Sequence, residues 1–213
     1  MKPNPYIVVE GPIGVGKTAL AQMLAKRLGG RAVFEQVEEN PFLAHFYADR
    51  DKYAFQTQLF FLLSRFKQQQ DLSQPELFAQ ATVSDYLFAK DRLFAQLNLD
   101  PHEFLLYDKI YELLGPRVIK PDLVVHLSAN LDVLLARIRR RGREFERRFD
   151  AAYLERLSHA YNEFFFTYDD SPLLAVNTSD IDFVQSHEDF EGLLSAIGRM
   201  KKGVQAYHPV SSR

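Results

Sequence analysis

The sequence contains no cysteine, and this absence excludes disulfide bonds, thiolate metal sites and cysteine nucleophiles. It also lacks a strong charge of either sign, since the formal net charge is −2 and the pI is near 6.3. Domains that bind nucleic acid usually carry a marked basic excess, so this composition predicts no nucleic-acid partner. No apolar signal segment opens the chain and no later apolar run reaches membrane-spanning length, so we expect a soluble cytoplasmic protein with no membrane association.

The sequence does have enough apolar residues for one packed core. Of its 213 residues, 46% are hydrophobic and 13% are aromatic, which suits a single domain. We find no internal repeat, second domain or low-complexity tract. We therefore expect one domain over residues 1–200 and a flexible C-terminal tail over residues 201–213, where hydrophobic periodicity is lost.

The stretch Gly11-Pro12-Ile13-Gly14-Val15-Gly16-Lys17-Thr18 satisfies the G-x-x-x-x-G-K-[ST] pattern of a phosphate-binding P-loop. Glycines let successive backbone N–H groups point inward around a triphosphate, in conformations that a Cβ would obstruct. Lys17 can reach the β- and γ-phosphates, and Thr18 offers a hydroxyl to Mg²⁺. A β-branched run at 6–9 precedes the loop and a helix-forming segment at 19–28 follows it. Strand, loop and helix therefore come in the order that a P-loop requires.

The same residues also fit a rival pattern. The segment 14–16 with Ala19 matches the dinucleotide-binding fingerprint, and Glu35 lies near the position of the ribose-binding acid of that fold. However, three residues separate the predicted strand end from Gly14, whereas the dinucleotide turn starts almost at once. That fold also has no use for the lysine and threonine that end the P-loop. The P-loop is therefore the favoured interpretation, with a dehydrogenase as the alternative.

Acidic residues fall at the carboxyl ends of two predicted strands. Glu35 ends a run at 31–34, and Asp85 follows a weaker run at 78–83. Ligands of open α/β sheets bind beyond those ends. Glu35 could therefore take a proton from an attacking hydroxyl, and Asp85 could hold Mg²⁺ or contact that hydroxyl. Gln56 interrupts the apolar side of a helix predicted at 51–70, where its amide could read a purine edge or be merely solvated.

An arginine-rich segment follows a predicted strand at 121–127 and spans the end of a predicted helix at 130–140. Its seven arginines are Arg137, Arg139, Arg140, Arg141, Arg143, Arg147 and Arg148. Since the chain already has a phosphate loop, we expect these guanidinium groups to cover the phosphates as a mobile lid at about 139–149, with Gly142 as a hinge.

Strands alternate with helices throughout, which predicts an α/β P-loop kinase fold with a five-stranded parallel sheet and helices on both faces.

Taken in order, these motifs resemble the deoxynucleoside kinase family, most closely its bacterial deoxyadenosine/deoxyguanosine kinase branch. The resemblance covers about residues 6–190 and rests on EGPIGVGKT at 10–18, EENPF at 38–42, FQTQ at 55–58, SDY at 84–86, KDRLFA at 90–95, RIRRRGR at 137–143 and YL at 153–154. It implies transfer of the γ-phosphate of ATP, or of another NTP, to the 5′-hydroxyl of a deoxynucleoside in nucleotide salvage. Mg²⁺ and a homodimer are implied too. Deoxyadenosine or deoxyguanosine is the expected acceptor, and deoxycytidine stays open.

The resemblance also implies a role for each candidate site residue. The expected groups are Glu35 as the base, Lys17 and Thr18 at the phosphates and Mg²⁺, Gln56 at the nucleobase, Tyr47 and Glu146 at the sugar 3′-hydroxyl, Arg137, Arg141 and Arg143 in the lid, and the loop 177–183 with Asp180 at the donor adenine. Many family members carry an acid-Arg-Ser triplet where this chain has Ser84-Asp85-Tyr86, so the arginine expected at the 5′-hydroxyl is missing. Asp85 could take the role of the triplet's acid one position along, and Arg65 could supply the positive charge from the long helix.

Two other functions remain as alternatives. A nucleoside monophosphate kinase of the thymidylate kinase type has the same core and lid, but its anionic acceptor requires additional cations where this chain places Glu35 and Gln56. A catalytically silent nucleotide-binding subunit would keep the fold without the chemistry, and the intact Lys17, Thr18 and Glu35 argue against it.

Overall fold

The structure, a computed structural model, describes residues 4–72, 79–143, 146 and 150–208. Its centre is a parallel β-sheet, which has six strands within those residues. In chain order the strands are β1 (Tyr6–Glu10), β2 (Arg31–Val33), β3 (Thr82–Ser84), β4 (Leu123–Ser128), β5 (Leu173–Asn177) and β6 (Val204–Tyr207). Their order across the sheet is β2-β3-β1-β4-β5-β6, with all neighbours parallel.

The prediction of a five-stranded sheet is wrong, because β6 adds a sixth strand in the described part of the chain. β6 lies inside the segment 201–213 that we expected to be a flexible tail, and it pairs with β5 from Leu173↔Val204 to Val176↔Tyr207. Three of its four residues are exposed. An edge strand held by backbone hydrogen bonds needs no buried face. Hydrophobic alternation in the sequence therefore could not predict β6.

The helices that connect the strands confirm the predicted alternation. They are α1 (Lys17–Arg27), α2 (Leu43–Ala48), α3 (Arg50–Leu72), α4 (Lys90–Asn98), α5 (Pro101–Leu114), α6 (Leu131–Arg141), α7 (Ala151–Phe166) and α8 (His187–Arg199). Two short 3₁₀ helices cover Val37–Glu39 and Gly115–Arg117. None of the helices in the described ranges combines the length and apolarity that a bilayer crossing requires.

The central strands show that both faces of the sheet are covered. All five residues of β1 and the first five of β4 are buried. Since consecutive residues of a strand point to opposite faces, burial of every residue requires packed layers on both sides. The expectation of helices on both faces is therefore confirmed.

The strand order determines where the predicted site residues meet. β2, β3 and β1 are neighbours in the sheet, and their carboxyl ends lead to Glu35, Asp85 and Glu10 respectively. The P-loop joins β1 to α1 at the same edge. The sheet thus places three carboxylates from distant parts of the sequence beside the phosphate loop.

Candidate active site

The P-loop packs so closely that its glycines cannot be replaced. Gly11 has φ 151°, and an added Cβ would lie 2.2 Å from the carbonyl oxygen of Leu127 at the end of β4. Gly16 has φ 105°, and its added Cβ would lie 2.9 Å from the Phe183 ring. The positive φ of both residues, together with the backbone contact at Gly11, excludes larger residues. α1 begins directly after Gly16, so its N-terminal N–H groups and dipole face the loop, as anion binding requires.

Lys17 is held by the loop itself. Its Nζ donates to the carbonyl oxygens of Gly11 at 2.8 Å and Pro12 at 3.2 Å. Burial lowers the pKa of Lys17 to about 8, and the nearby Lys90 ammonium adds to that shift while Glu10 and Asp85 oppose it. The ammonium is therefore poorly neutralised by its present partners, and a polyphosphate would stabilise its charge.

The two predicted metal ligands lie side by side. Thr18 Oγ1 donates to Asp85 Oδ2 at 2.5 Å, and Asp85 Oδ1 accepts from the backbone N–H of Glu35 at 2.7 Å. Burial raises the pKa of Asp85, and its hydrogen bond from Thr18 opposes that shift. Within the described ranges no cluster of three or more His, Cys, Asp or Glu side chains could hold a metal. A hydroxyl and a carboxylate beside a phosphate loop nevertheless fit Mg²⁺, which commonly takes one or two protein ligands and completes its shell with phosphates and water.

Glu35 lies in a buried cluster of alternating charges. Its Oε1 accepts from Arg65 and its Oε2 accepts from Lys90 Nζ at 3.1 Å. Arg65 also donates to the fully buried Asp91, and Lys90 Nζ lies 3.6 Å from Glu10 Oε2. Burial lowers the pKa of Lys90 and raises that of Asp91. Opposite charges thus compensate one another where no single charge could stay buried.

A cavity of about 260 Å³ opens above this cluster. It is rich in aromatic rings, with Phe34, Phe46, Tyr47, Phe61, Phe94, Tyr153 and Tyr161 in its lining. Glu35, Arg65, Asp85 and Lys90 form its polar end. An apolar pocket with a few convergent polar groups is the usual form of a small-molecule site, and aromatic faces suit a flat base.

The glutamine in this cavity is Gln58, and the prediction of Gln56 requires correction. Gln56 is exposed on α3, whereas Gln58 is 2% exposed and lines the cavity. Its Oε1 has no hydrogen-bond partner, and neither does Oγ1 of the adjacent, equally buried Thr57. The buried face of α3 carries Ala54, Thr57, Gln58, Leu62, Arg65 and Gln69. The helical spacing from Arg65 back to Gln58, two turns apart on one face, was the signal that we missed.

The expected sugar-binding residues come together at the cavity wall. Tyr47 and Glu146 both line it. Burial is the largest cause of the raised pKa of Tyr47, and the nearby Tyr153 and Glu146 add to the shift. Arg141 makes a bidentate pair with Glu146, at 3.1 Å from Nε and 2.5 Å from Nη2. Arg143 forms an ion pair at 2.7 Å with Glu38, which also lines the cavity. Of the lid predicted at 139–149, positions 144, 145 and 147–149, with Arg147 and Arg148, lie outside the described residues.

A second cavity, of about 400 Å³, lies on the other side of the P-loop. Its lining includes residues 14–19, residues 182–184 and the arginines Arg137, Arg140, Arg141 and Arg143. It shares Lys17, Thr18, Arg141 and Arg143 with the first cavity. The two cavities therefore approach each other at the groups that we expected to bind the transferring phosphate.

Asp180 and Arg137, which we predicted near the donor, do not have the position or the contacts that we expected. Asp180 is exposed and does not line the second cavity, where Asp182 lies instead. Arg137 lines the cavity, but its guanidinium donates to Thr178 Oγ1, to the Thr178 carbonyl and to the Ile181 carbonyl at 2.9–3.0 Å. It also reaches the Val15 carbonyl at 3.4 Å. Arg137 thus fastens the loop after β5 to the P-loop.

Comparisons with known proteins identify the family of this chain. The family model described as "Deoxynucleoside kinase" matches residues 7–201. The chain belongs to the deoxynucleoside kinase family. A deoxyguanosine kinase of Bacillus subtilis (strain 168) is 39% identical over 202 residues, which are 92% of this chain and 98% of that protein. A deoxyadenosine/deoxycytidine kinase of the same organism is 30% identical over 202 residues, which are 91% of this chain and 92% of that protein.

Solved structures place this kinase in the same family. The structure of deoxyadenosine kinase from M. mycoides with bound dATP superposes with a TM-score of 0.79 at 26% identity, over 91% of this chain and 99% of that chain. The chain is therefore a phosphotransferase with the P-loop kinase fold, as the resemblance predicted.

Proposed function

We propose that this kinase transfers the γ-phosphate of ATP, with Mg²⁺, to the 5′-hydroxyl of a purine deoxynucleoside. The observation that carries the proposal is the arrangement of the two cavities, which share Lys17, Thr18, Arg141 and Arg143. The nucleoside occupies the aromatic cavity and the nucleotide donor occupies the cavity behind the P-loop. Phosphoryl transfer demands mainly this positioning, together with cations around the γ-phosphate.

Glu35 is the proposed base. As the 5′-oxygen forms its bond to the γ-phosphorus, the bond from that phosphorus to the bridging oxygen breaks, and the hydroxyl proton passes to the Glu35 carboxylate. Glu35 lines the polar end of the acceptor cavity together with Asp85. In a loose transition state the proton leaves late, so a carboxylate of ordinary basicity suffices.

Mg²⁺ would be held by Thr18 and Asp85 together with the phosphates of the donor. The ion would supply charge neutralisation of the β- and γ-phosphate oxygens. Thr18 and Asp85 are already adjacent at 2.5 Å, so a shift of either side chain makes room for an ion between the loop and the carboxylate.

The proposed purine preference rests on Gln58 and on the relatives. A glutamine amide donates and accepts side by side, which pairs with two adjacent groups on a purine edge. The buried, unpartnered Gln58 Oε1 and Thr57 Oγ1 provide two polar atoms at the base end of the cavity. The relatives named above are a deoxyguanosine kinase, a deoxyadenosine/deoxycytidine kinase and a deoxyadenosine kinase.

A homodimer is part of the proposal. Leu105, Leu106 and Leu113 of α5 are each more than half exposed, and Leu63 of α3 is nearly so. α3 and α5 pack against each other, so these leucines can form one apolar surface that a second copy would cover. Light scattering on the purified protein, with Leu113→Glu as the disruptive variant, tests this arrangement.

The assay that tests the function offers ATP-Mg²⁺ with each of the four deoxynucleosides and each of their monophosphates. We expect transfer to a purine deoxynucleoside, and a loss of about 10²-fold or more in kcat for Glu35→Gln. Glu39→Gln is the matched control, because Glu39 is exposed and lies outside the cavity lining. Transfer only to monophosphates, or full activity in Glu35→Gln, would overturn the acceptor or the base assignment respectively.

A further inference from the structure

Lys90 is a buried lysine at a position that its own helix disfavours. It is the first residue of α4, where the positive end of the helix dipole repels a cation. It is nevertheless 2% exposed, and it lines the acceptor cavity. Neither helix stability nor hydrophobic packing accounts for a buried ammonium there, so its carboxylate partners must.

The two carboxylates near Lys90, those of Glu10 and Glu35, differ in the hydrogen bonds that they accept from other donors. Glu10 is already well satisfied, since its Oε1 accepts from Gly11 N–H at 2.9 Å and Tyr161 Oη at 3.0 Å. Its Oε2 accepts from Leu87 N–H at 2.7 Å, closer than the 3.6 Å to Lys90 Nζ. Glu35 Oε2, in contrast, accepts directly from Lys90 at 3.1 Å. The stronger interaction of the ammonium is therefore the one with Glu35.

The second cation on Glu35 is not equivalent to Lys90. Arg65 spans Glu35 and the fully buried Asp91, so its guanidinium is fixed from both sides. Lys90 has a flexible stem and a compact head that can rotate its three donors. The charged groups that act electrostatically on Lys90 or on the neighbouring Lys17 also include Glu10, Arg65, Asp85, Asp91 and Arg141. A hydroxyl can approach Glu35 Oε2 only if Lys90 leaves one of its lone pairs free.

Resting on the proposed role of Glu35, we propose that Lys90 is a positioning residue that orients the Glu35 carboxylate for the 5′-hydroxyl. Its hydrogen bond to Oε2 holds the carboxylate against the cavity wall and leaves a lone pair of that oxygen directed at the substrate. The hydroxyl proton goes to Glu35, and Lys90 keeps its own protons throughout. Lys90 thus acts on the 5′-hydroxyl through Glu35, from the start of α4.

A double-mutant cycle tests this inference with wild type, Glu35→Gln, Lys90→Met and the double variant, in single-turnover transfer to the preferred deoxynucleoside. We expect Lys90→Met to lower the transfer rate at least 30-fold while the KM for ATP changes less than threefold. Since Lys90 acts through Glu35, adding Lys90→Met to Glu35→Gln should cost less than threefold more. Lys90→Arg keeps the charge and should recover at least tenfold over Lys90→Met.

The outcomes separate this inference from the proposed function. Full activity in Glu35→Gln overturns the base assignment and, with it, the role of Lys90. An impaired Glu35→Gln with multiplicative effects in the double variant overturns the Lys90 inference alone. If Lys90→Met fails to fold, Lys90→Gln and Lys90→Arg replace it in the cycle, and equal rates in these two variants contradict the need for a charge. Lys120→Met is the control, because Lys120 forms an exposed pair with Asp170 at 2.6 Å.

Discussion

The two halves of the site hold their cations in different ways. In the donor half, Lys17 binds the neutral carbonyl oxygens of Gly11 and Pro12, and Arg137 binds the Thr178 and Ile181 carbonyls. In the acceptor half, Arg65 and Lys90 bind carboxylates. Carbonyl dipoles leave the charges of Lys17 and Arg137 without a paired carboxylate, whereas the charges of Arg65 and Lys90 are paired with carboxylates before any ligand arrives.

This difference matches the charges of the two substrates. The electrostatic free energy of binding is most favourable for an anionic triphosphate where the cations lack counter-charges. A neutral nucleoside gains no such binding energy from an excess cation. The acceptor half therefore suits a deoxynucleoside better than a monophosphate, whose charge would compete with Glu35 and Asp85. Three variants can break or sharpen the contrast between the halves.

The largest effect is expected for Lys17→Met in the donor half. The variant removes the ammonium that is poorly neutralised in the free kinase, and we expect kcat to fall about 10³-fold. Because Lys17 binds the phosphates of the donor and not the nucleoside, the Kd of the deoxynucleoside should stay within threefold of wild type. Calorimetry measures this Kd. A comparable loss of nucleoside binding would show that the halves are not separate.

Gln58→Leu should have the next largest effect, and Gln56→Leu is its matched control. Losing a side-by-side amide contact with a base typically costs about 1–3 kcal/mol, or roughly 5- to 150-fold in kcat/KM. We expect that loss for Gln58→Leu, with steady-state kinetics on the purine deoxynucleosides as the measurement. Gln56→Leu should stay within twofold of wild type, since Gln56 is exposed. The reverse ranking would restore the original prediction.

The smallest effect is expected for Glu38→Gln at the contact between the two cavity walls. Arg143 meets Glu38 at 2.7 Å, but the Glu38 side chain is 66% exposed. Exposed ion pairs contribute about 0.2–1 kcal/mol, so the KM for the deoxynucleoside should rise no more than about fivefold. Glu191→Gln, which breaks an exposed pair with Arg27 far from the cavities, should change nothing. A tenfold or larger rise would mean that closure over the nucleoside depends on this pair.

The sequence predicted the donor half better than the acceptor half for a physical reason. A P-loop is contiguous, so Gly11, Gly16, Lys17 and Thr18 could be assigned from spacing alone. Glu35 and Asp85 were also found, because strand ends in a parallel sheet share one edge. The second cavity is lined by Asp182 and not by the predicted Asp180, because a loop of polar residues has no period that identifies which side chain turns inward.

The acceptor half depends on contacts between segments that are distant in the chain. Gln58 belongs to a helix face that buries polar residues, which an apolar-stripe rule assigns to solvent. Lys90 appeared only as part of a motif, since its pairing with Glu35 spans 55 positions. β6 was missed because an exposed edge strand carries no hydrophobic pattern.

A crystal structure with a bound purine deoxynucleoside would test the central claim most directly. The account predicts that the base lies among the aromatic rings with its edge on Gln58, and that the 5′-hydroxyl contacts Glu35 with Lys90 still on Oε2. A nucleoside in the cavity behind the P-loop, or a 5′-hydroxyl turned away from Glu35, would contradict it.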